Sequence, residues 1–148
     1  MSANLILISR FSTKPGMAHN LASAIAHTDA CAVMCALDDD EVVTLEAVST
    51  DIPLQALRER LTAVLPEFAQ YLSSDIRREL LEFIESPKPS SNLIPDTPYI
   101  QLRHIEVKPD MMSQYRQWRE NTIFDVVRIS EEISEFSAYH SIISGNLA

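Results

Sequence analysis

The spacing of apolar residues predicts a chain that alternates between strands and helices. The first positions of 4–13 are apolar on both faces, as in a strand that is covered on two sides. The break at Lys14-Pro15-Gly16 is followed by apolar residues at helical spacing, and the β-branched run at 42–49 favours a strand. The elements predicted for this half are a strand at 4–13, a helix at 17–28, strands at 31–37 and 42–49, and a broken helical region from 53 to 85.

A proline-rich segment separates the two halves of the chain. Residues 86–98 contain four of the eight prolines, so we interpret them as a linker or arm, either a passive connection or a lid over a pocket. The last helix before this segment is predicted from Ser74 onward and carries the apolar residues Ile76, Leu80, Leu81, Phe83 and Ile84. After it we predict a strand at 99–107, a helix at 110–129, a strand at 134–143 and a turn at 144–146.

A short internal repeat relates the two halves. A Lys-Pro-x-Met motif begins at Lys14 and recurs 94 residues later at Lys108, each time between a predicted strand and a predicted helix. The matching order of elements predicts about one and a half β-α-β-β-α units in one compact domain. The first unit covers 1–86, the linker or arm covers 87–98, and a partial β-α-β copy covers 99–148.

The strand, Lys-Pro-Gly break and helix at the start of the chain resemble the opening of the antibiotic-biosynthesis-monooxygenase-like family, the dimeric α/β-barrel proteins. Segments 40–48, 66–71 and 135–140 are also similar to that family. Two positions depart from it, since the family's tryptophan is Val48 here and its usual histidine before the phenylalanine is Glu67. The resemblance implies an α+β, ferredoxin-like fold that dimerises through its sheets. Family members include cofactor-free oxygenases of quinols and polycyclic phenols, haem-degrading enzymes and proteins with no assigned chemistry.

Composition and charge limit the class of protein. The 21 acidic residues against 12 basic ones give a formal net charge of −9, which argues against nucleic acid or an anionic membrane as partner. The two glycines, Gly16 and Gly145, are too few for a P-loop or a dinucleotide-binding loop. No apolar run approaches the ~18 residues of a membrane helix. Cys31 and Cys35 are too few for a disulfide framework, and we expect a cytoplasmic protein with reduced thiols.

Neither a metal site nor a cofactor is expected. His19 and His27 lie eight residues apart on a predicted helix, which is more than two turns and too far to share an ion. The sequence has no Cys-x-x-Cys or His-x-x-x-His pair. The three aspartates at 38–40 are interpreted as a solvated hairpin tip rather than a cation site.

Alternation along the strands singles out two candidate catalytic residues. Arg10 lies on the face opposite to Phe11, and His104 takes the corresponding place beside Ile105 in the second copy. If Phe11 and Ile105 pack under the helices, Arg10 and His104 face the interior of the barrel. An imidazole in an apolar cavity is a good general base, and an arginine there can stabilise a phenolate or enolate. The alternative is a histidine at a strand end, exposed or bonded to Glu106.

Aromatic and amide side chains provide the candidate substrate-binding residues. Trp118 and Asn121 are about one helical turn apart and can hold an aromatic ring by stacking and by hydrogen bonding. Tyr99 and Tyr139 can line the cavity. His140 is a further candidate, but neighbours on a strand point to opposite faces, so only one of Tyr139 and His140 can reach it. The alternatives are helix-to-sheet packing for Trp118, solvent for Asn121 and a structural role for His140.

The leading functional expectation is a cofactor-independent oxygenase, or a related small enzyme, that acts on an aromatic, phenolic or quinol-type compound as a homodimer or higher oligomer. In that chemistry a deprotonated, electron-rich substrate reduces O₂ itself inside a dry cavity. Two alternatives stay open. One is a non-catalytic protein of the same fold that binds a small molecule or forms oligomers, and the other is an oxygen-independent cyclase or isomerase of secondary metabolism.

Overall fold

An antiparallel β-sheet with helices packed against it forms the body of the molecule, which is an α+β architecture. The computed structural model describes residues 1–143 and, as backbone only, Asn146–Leu147. Five strands of five or more residues make up most of the sheet, and two strands of two residues extend it. The strands are β1 (Leu5–Ser12), β2 (Cys31–Cys35), β3 (Glu41–Val48), β4 (Arg77–Lys88), β5 (Ile105–Glu106), β6 (Phe136–Ser141) and β7 (Asn146–Leu147).

Helices form within the predicted regions 17–28 and 110–129 and in the first part of the predicted region 53–85. They are α1 (Ala18–Ala24), α2 (Leu54–Ala63), α3 (Leu65–Phe68), α4 (Met112–Asn121) and α5 (Ile123–Ile129), with 3-10 turns at Ala69–Tyr71 and Pro109–Met111. The helix predicted at 110–129 is divided at Thr122, whose backbone angles of φ −127° and ψ −78° are not helical. No helix in the described part of the chain is both long enough and apolar enough to span a bilayer.

The strand order places β1 and β4 at the centre of the sheet. The order is β2-β3-β1-β4-β6-β7-β5, and each pair is antiparallel. The first four strands therefore have the arrangement of a ferredoxin-like unit, in which β1 lies between β3 and β4. The long strand β4 connects this unit to β6 and so joins the two halves of the chain.

The helix predicted over 76–85 is wrong, because this segment forms the strand β4. Its apolar residues face both sides, with Leu80 packing toward α2 and Leu81 on the opposite face. An apolar residue on both faces hides the two-residue period of a strand, so the sequence does not distinguish it from a buried helix. The first unit thus ends in a strand, β-α-β-β-α-β, and β4 extends into the predicted linker as far as Lys88.

The strand predicted at 99–107 is wrong for most of its length, since only Ile105–Glu106 pair with another strand. Residues 89–104, which we call the arm, have no regular secondary structure. The arm is held against the sheet by the buried residue Ile94 and by a hydrogen bond of 2.9 Å from the N–H of Ala3 to the carbonyl of Leu93. The partner of this short strand is β7, and two residues of each strand are paired.

The end of the chain differs from the prediction in one respect. The strand predicted at 134–143 is β6, but a further strand, β7, follows where the second copy was expected to stop after β-α-β. Of the predicted turn at 144–146, Asn146 lies in β7 and the first two residues lie outside the described part of the chain.

The two faces of the sheet carry separate hydrophobic clusters. Phe11 packs against Leu21 and Phe68 on the face covered by α1 to α3, and its ring meets that of Phe68 edge-on with the centroids 6.0 Å apart. The opposite face, which we call the inner face, includes Leu81 and Tyr139. The arm residue Ile94 belongs to this second cluster, so part of the core is contributed by a segment without regular structure.

Candidate functional site

A cavity of about 1430 Å³ lies on the inner face of the sheet. Its floor is formed by side chains of five strands, β1 to β4 and β6, among them Ile8, Leu45, Leu81 and Tyr139. These side chains share a face because alternate residues of a strand point the same way. Sites for small molecules usually measure ~300–1,000 Å³, so this cavity has room for a ligand of several rings.

The arm forms one wall of the cavity. Most residues from 94 to 104 line it, from the buried Ile94 to Tyr99 at the rim, whose side chain is 79% exposed. The opposite wall comes from α4 and α5, which contribute Trp118 and Val126. The proline-rich segment is therefore more than a connection between two halves, because it encloses the space on one side.

Both candidate catalytic residues line the cavity. Arg10 and His104 also border a smaller pocket of about 280 Å³ that opens beside it. Nη1 of Arg10 lies 3.2 Å from Oε1 of Glu41, and Nε2 of His104 lies 3.7 Å from Oε1 of Glu106. The side chains of Arg10 and His104 are 42% and 44% exposed, so each reaches solvent as well as the cavity. His104 thus lines the cavity, as the catalytic interpretation expects, and it also lies beside Glu106, as the alternative interpretation expects.

Four of the five candidate substrate-binding residues line the cavity; they are Tyr99, Trp118, Asn121 and Tyr139. His140 is not among its lining residues, so the structure does not bring this candidate together with the other four. The reason is the alternation of β6, in which Tyr139 takes the inner face and its neighbour points away. Trp118 is 53% exposed and stacks at a tilt on Tyr115, so its ring is accessible at the mouth.

The hydroxyl of Tyr139 is a hydrogen-bond donor rather than a base. Burial raises the pKa of Tyr139 to about 12, so the phenol stays protonated over the whole physiological range. Its O–H donates to the carbonyl of Ala3 over 3.3 Å. The side chain is 8% exposed and meets the ring of Phe83 edge-on, which makes it a fixed part of the cavity floor.

Sequence reasoning missed Arg77 and Glu79, which border the small pocket. Both lie on β4, and Arg77 is directly opposite Arg10 in the register of the sheet. The prediction of a helix for this segment does not connect its alternating charges with β1. The pattern Arg-Arg-Glu-Leu-Leu-Glu, interpreted as a strand, is the signal that places Arg77 and Glu79 on one face.

Within the described residues, the cysteine, histidine and carboxylate side chains do not form a cluster that could bind a metal ion. Among residues 1–143, no three or more of them approach closely enough to hold an ion. At the aspartate turn, Nδ1 of His19 lies 2.6 Å from Oδ1 of Asp39. Cys31 and Cys35 are free, and burial raises the pKa of both thiols, which lowers their reactivity as nucleophiles.

Comparison with known proteins shows a similarity of fold. No family model and no curated protein matches the sequence. The crystal structure of a "putative monooxygenase" from Fusobacterium nucleatum subsp. nucleatum is similar, with a TM-score of 0.58 over 99% of this chain and 75% of that chain. The two sequences are 13% identical, so the similarity shows a shared fold. The chain is thus an α+β protein whose antiparallel sheet is consistent with a ferredoxin-like fold and whose cavity lies on the inner face of that sheet.

Proposed function

We propose that the protein is a small oxidoreductase, a cofactor-independent oxygenase that acts on an aromatic, phenolic or quinol-type compound. The observation that carries the proposal is the apolar cavity of about 1430 Å³ whose aromatic walls meet Arg10 and His104 at one end. An apolar space with a few convergent polar groups is the usual form of a small-molecule site. The monooxygenase name of the Fusobacterium protein and the family resemblance of the sequence support the same reaction type.

In the proposed reaction, His104 is the general base. Its Nε2 takes the proton of an acidic phenol or of an activated ring CH₂, and the carboxylate of Glu106, 3.7 Å away, stabilises the imidazolium that forms. The guanidinium of Arg10 stabilises the resulting oxyanion. The electron-rich anion then reduces O₂. For an anthrone, the ring CH₂ becomes C=O with one oxygen atom, and the second oxygen leaves as water with the two hydrogens.

The remaining candidate residues orient the substrate in this scheme. Trp118 and Tyr99 offer ring faces at the mouth for stacking, and Asn121 offers an amide. Tyr139 contributes its ring to the floor beneath the substrate, since its hydroxyl is held by the hydrogen bond to the carbonyl of Ala3. The apolar floor excludes water from the anion, which favours its reaction with O₂ over reprotonation.

Oxygen uptake by the purified, chelator-treated protein with an anthrone or an electron-rich hydroquinone tests this proposal. We expect saturable uptake above the spontaneous rate and a loss of roughly 10²–10⁴-fold in His104→Ala, the usual contribution of a general base. His19→Ala is the matched control, because His19 is also an exposed histidine beside a carboxylate but lies outside the cavity. Full turnover in folded His104→Ala, or no uptake with any such substrate, would refute it.

A non-catalytic binding protein of the same fold is the second candidate. The observation in its favour is that Arg10 and His104 each have a carboxylate of the protein itself as neighbour, Glu41 and Glu106. A ligand would then be held by the apolar walls alone. Tight binding without turnover, in air or under nitrogen, distinguishes this candidate. Turnover of the bound compound under nitrogen would instead show an oxygen-independent cyclase or isomerase.

We also infer that residues 99–148 are a partial repeat of the first unit and that the protein works as a homodimer. Strand, helix, strand and strand follow one another in both parts, and their spatial orders, β2-β3-β1 and β6-β7-β5, correspond. In the described part of the chain, β2 pairs only with β3 and β5 only with β7, so each end strand has a free edge. Free edges of this kind favour pairing with a second chain.

A further inference from the structure

The small pocket is the charged end of the main cavity. Four residues line both spaces, which makes them continuous; they are Ile8, Arg10, Glu79 and His104. The pocket is completed by Ser12, Glu41 and Arg77, which the main cavity does not touch. An apolar space of about 1430 Å³ therefore leads into one of about 280 Å³ that is surrounded by ionisable groups.

Two arginines stand directly opposite each other at this end. Arg10 on β1 and Arg77 on β4 are register partners, so their side chains leave the same face of the sheet from adjacent strands. Like charges in this position destabilise an antiparallel pair. An anion between the two guanidinium groups removes this repulsion, so the arrangement favours the binding of one.

The pocket lining has two arginines and two glutamates, but within the described residues an ion pair engages only one of the arginines, Arg10. Glu41 accepts one hydrogen bond from Arg10, over 3.2 Å. The side chain of Arg77 has no hydrogen bond or ion pair within the described residues, and it is exposed at the pocket. Glu79 lies on the same wall and opposes an anion, whereas His104 adds positive charge when protonated. Arg77 therefore has its full set of donors available in a protein whose net charge of −9 otherwise repels anions.

We propose that this end is a carboxylate subsite, and that the cavity takes an aromatic compound whose ring system lies on the apolar floor and whose carboxylate binds Arg77 beside Arg10. An arginine fork matches the two oxygens of a carboxylate, which makes Arg77 the specificity-determining residue. The proposal rests on the proposed use of the cavity for an aromatic ligand, but it is independent of the reaction carried out there.

Two probes that differ only in charge test this subsite, anthracene-2-carboxylate and anthracene-2-carboxamide. Their binding to the purified protein is followed by fluorescence titration at low and high salt. We expect the carboxylate to bind about tenfold more tightly than the carboxamide at low salt, because the carboxamide lacks one charge-assisted contact. The preference should shrink as salt rises, because the guanidinium groups are partly exposed to solvent.

Variants of Arg77 test whether this residue causes the preference for the carboxylate probe. Arg77→Gln should reduce carboxylate affinity about tenfold and carboxamide affinity much less, while Arg77→Lys should retain part of the preference. Arg58→Gln removes the same charge from α2, outside both spaces, and should change neither affinity. Glu79→Gln should strengthen carboxylate binding, since it removes a like charge from the subsite wall.

Equal binding of the two probes to the wild-type protein would overturn the carboxylate subsite, and so would an unchanged preference in Arg77→Gln. Neither result bears on the oxygenase, which depends on oxygen uptake and His104. Binding of neither probe would overturn the subsite together with the aromatic use of the cavity. Absence of oxygen uptake alongside a strong carboxylate preference would refute the oxygenase and leave the subsite in place.

Discussion

Removal of the Glu85 carboxylate is expected to destabilise the protein strongly, because it leaves a buried cation without a counter-ion. Arg119 on α4 is 4% exposed and lies over the ring of Phe124, with 4.7 Å from its guanidinium carbon to the ring centroid. Its Nη2 is 2.5 Å from Oε1 of Glu85 on β4. The Nε of Arg119 has no hydrogen-bond partner among the described residues, so this one carboxylate supplies the charge that the guanidinium needs.

The size of the effect follows from this burial. Loss of one partner of a buried ion pair costs about 3–5 kcal/mol. The carboxylate of Glu85 is 36% exposed, so we expect the lower end, about 3 kcal/mol, for Glu85→Gln. At roughly 2–4 °C per kcal/mol for a domain of this size, Tm should fall by about 6–12 °C.

Urea unfolding followed by circular dichroism measures this cost. Arg116→Gln is the matched control, because Arg116 lies 3.6 Å from the same carboxylate but is 48% exposed, so its loss should cost less than about 1 kcal/mol. Combining Glu85→Gln with Arg119→Met should cost clearly less than the sum of the single changes, with a coupling energy of at least about 1 kcal/mol. A Glu85→Gln cost no larger than that of Arg116→Gln, or additive single changes, would refute the reasoning.

Two further predictions concern the cavity floor and the sheet edges. Because burial raises the pKa of Tyr139 from 10.0 to about 12, the folded state holds the phenolic proton more tightly than the unfolded chain; stability should therefore fall between about pH 10 and pH 12, and less steeply in Tyr139→Phe. Identical pH slopes of the urea midpoint in the two proteins would contradict this assignment. If the free edges of β2 and β5 pair between copies, sedimentation equilibrium should give twice the chain mass, with dissociation on dilution. A monomer mass at every concentration would exclude the homodimer.

Alternation along β1 and β6 is the feature of the site that can be predicted from the sequence. Arg10 and Tyr139 reach the inner face because each follows the two-residue period of a strand whose position was predicted. The same period shows that Tyr139 and His140 cannot both line the cavity, but it does not show which of them does. That choice depends on β6 pairing with β4, a contact between residues about 50 to 60 positions apart.

The segment that forms β4 shows why the other residues of the site could not be predicted from the sequence. Arg77, Glu79 and Leu80 are residues of good helix propensity, and nothing in their local order opposes a helix. Pairing on both sides, with β1 and with β6, overrides that preference. Arg10 and Arg77 come together through this pairing, so a helix prediction for the segment does not reveal the charged end of the cavity.

The arm gives the cavity a wall that can be altered independently of the sheet. Residues 89–104 contribute side chains to the enclosed space but no strand or helix, and Ile94 is their buried anchor in the core. Insertions and substitutions are tolerated best in such segments. Exchanges at exposed arm positions such as Tyr99 and Gln101 should therefore reshape the ligand range at little cost in folding. The molecule is therefore suited to divergence, or to directed evolution, in which the sheet stays constant and the arm varies to fit different ligands.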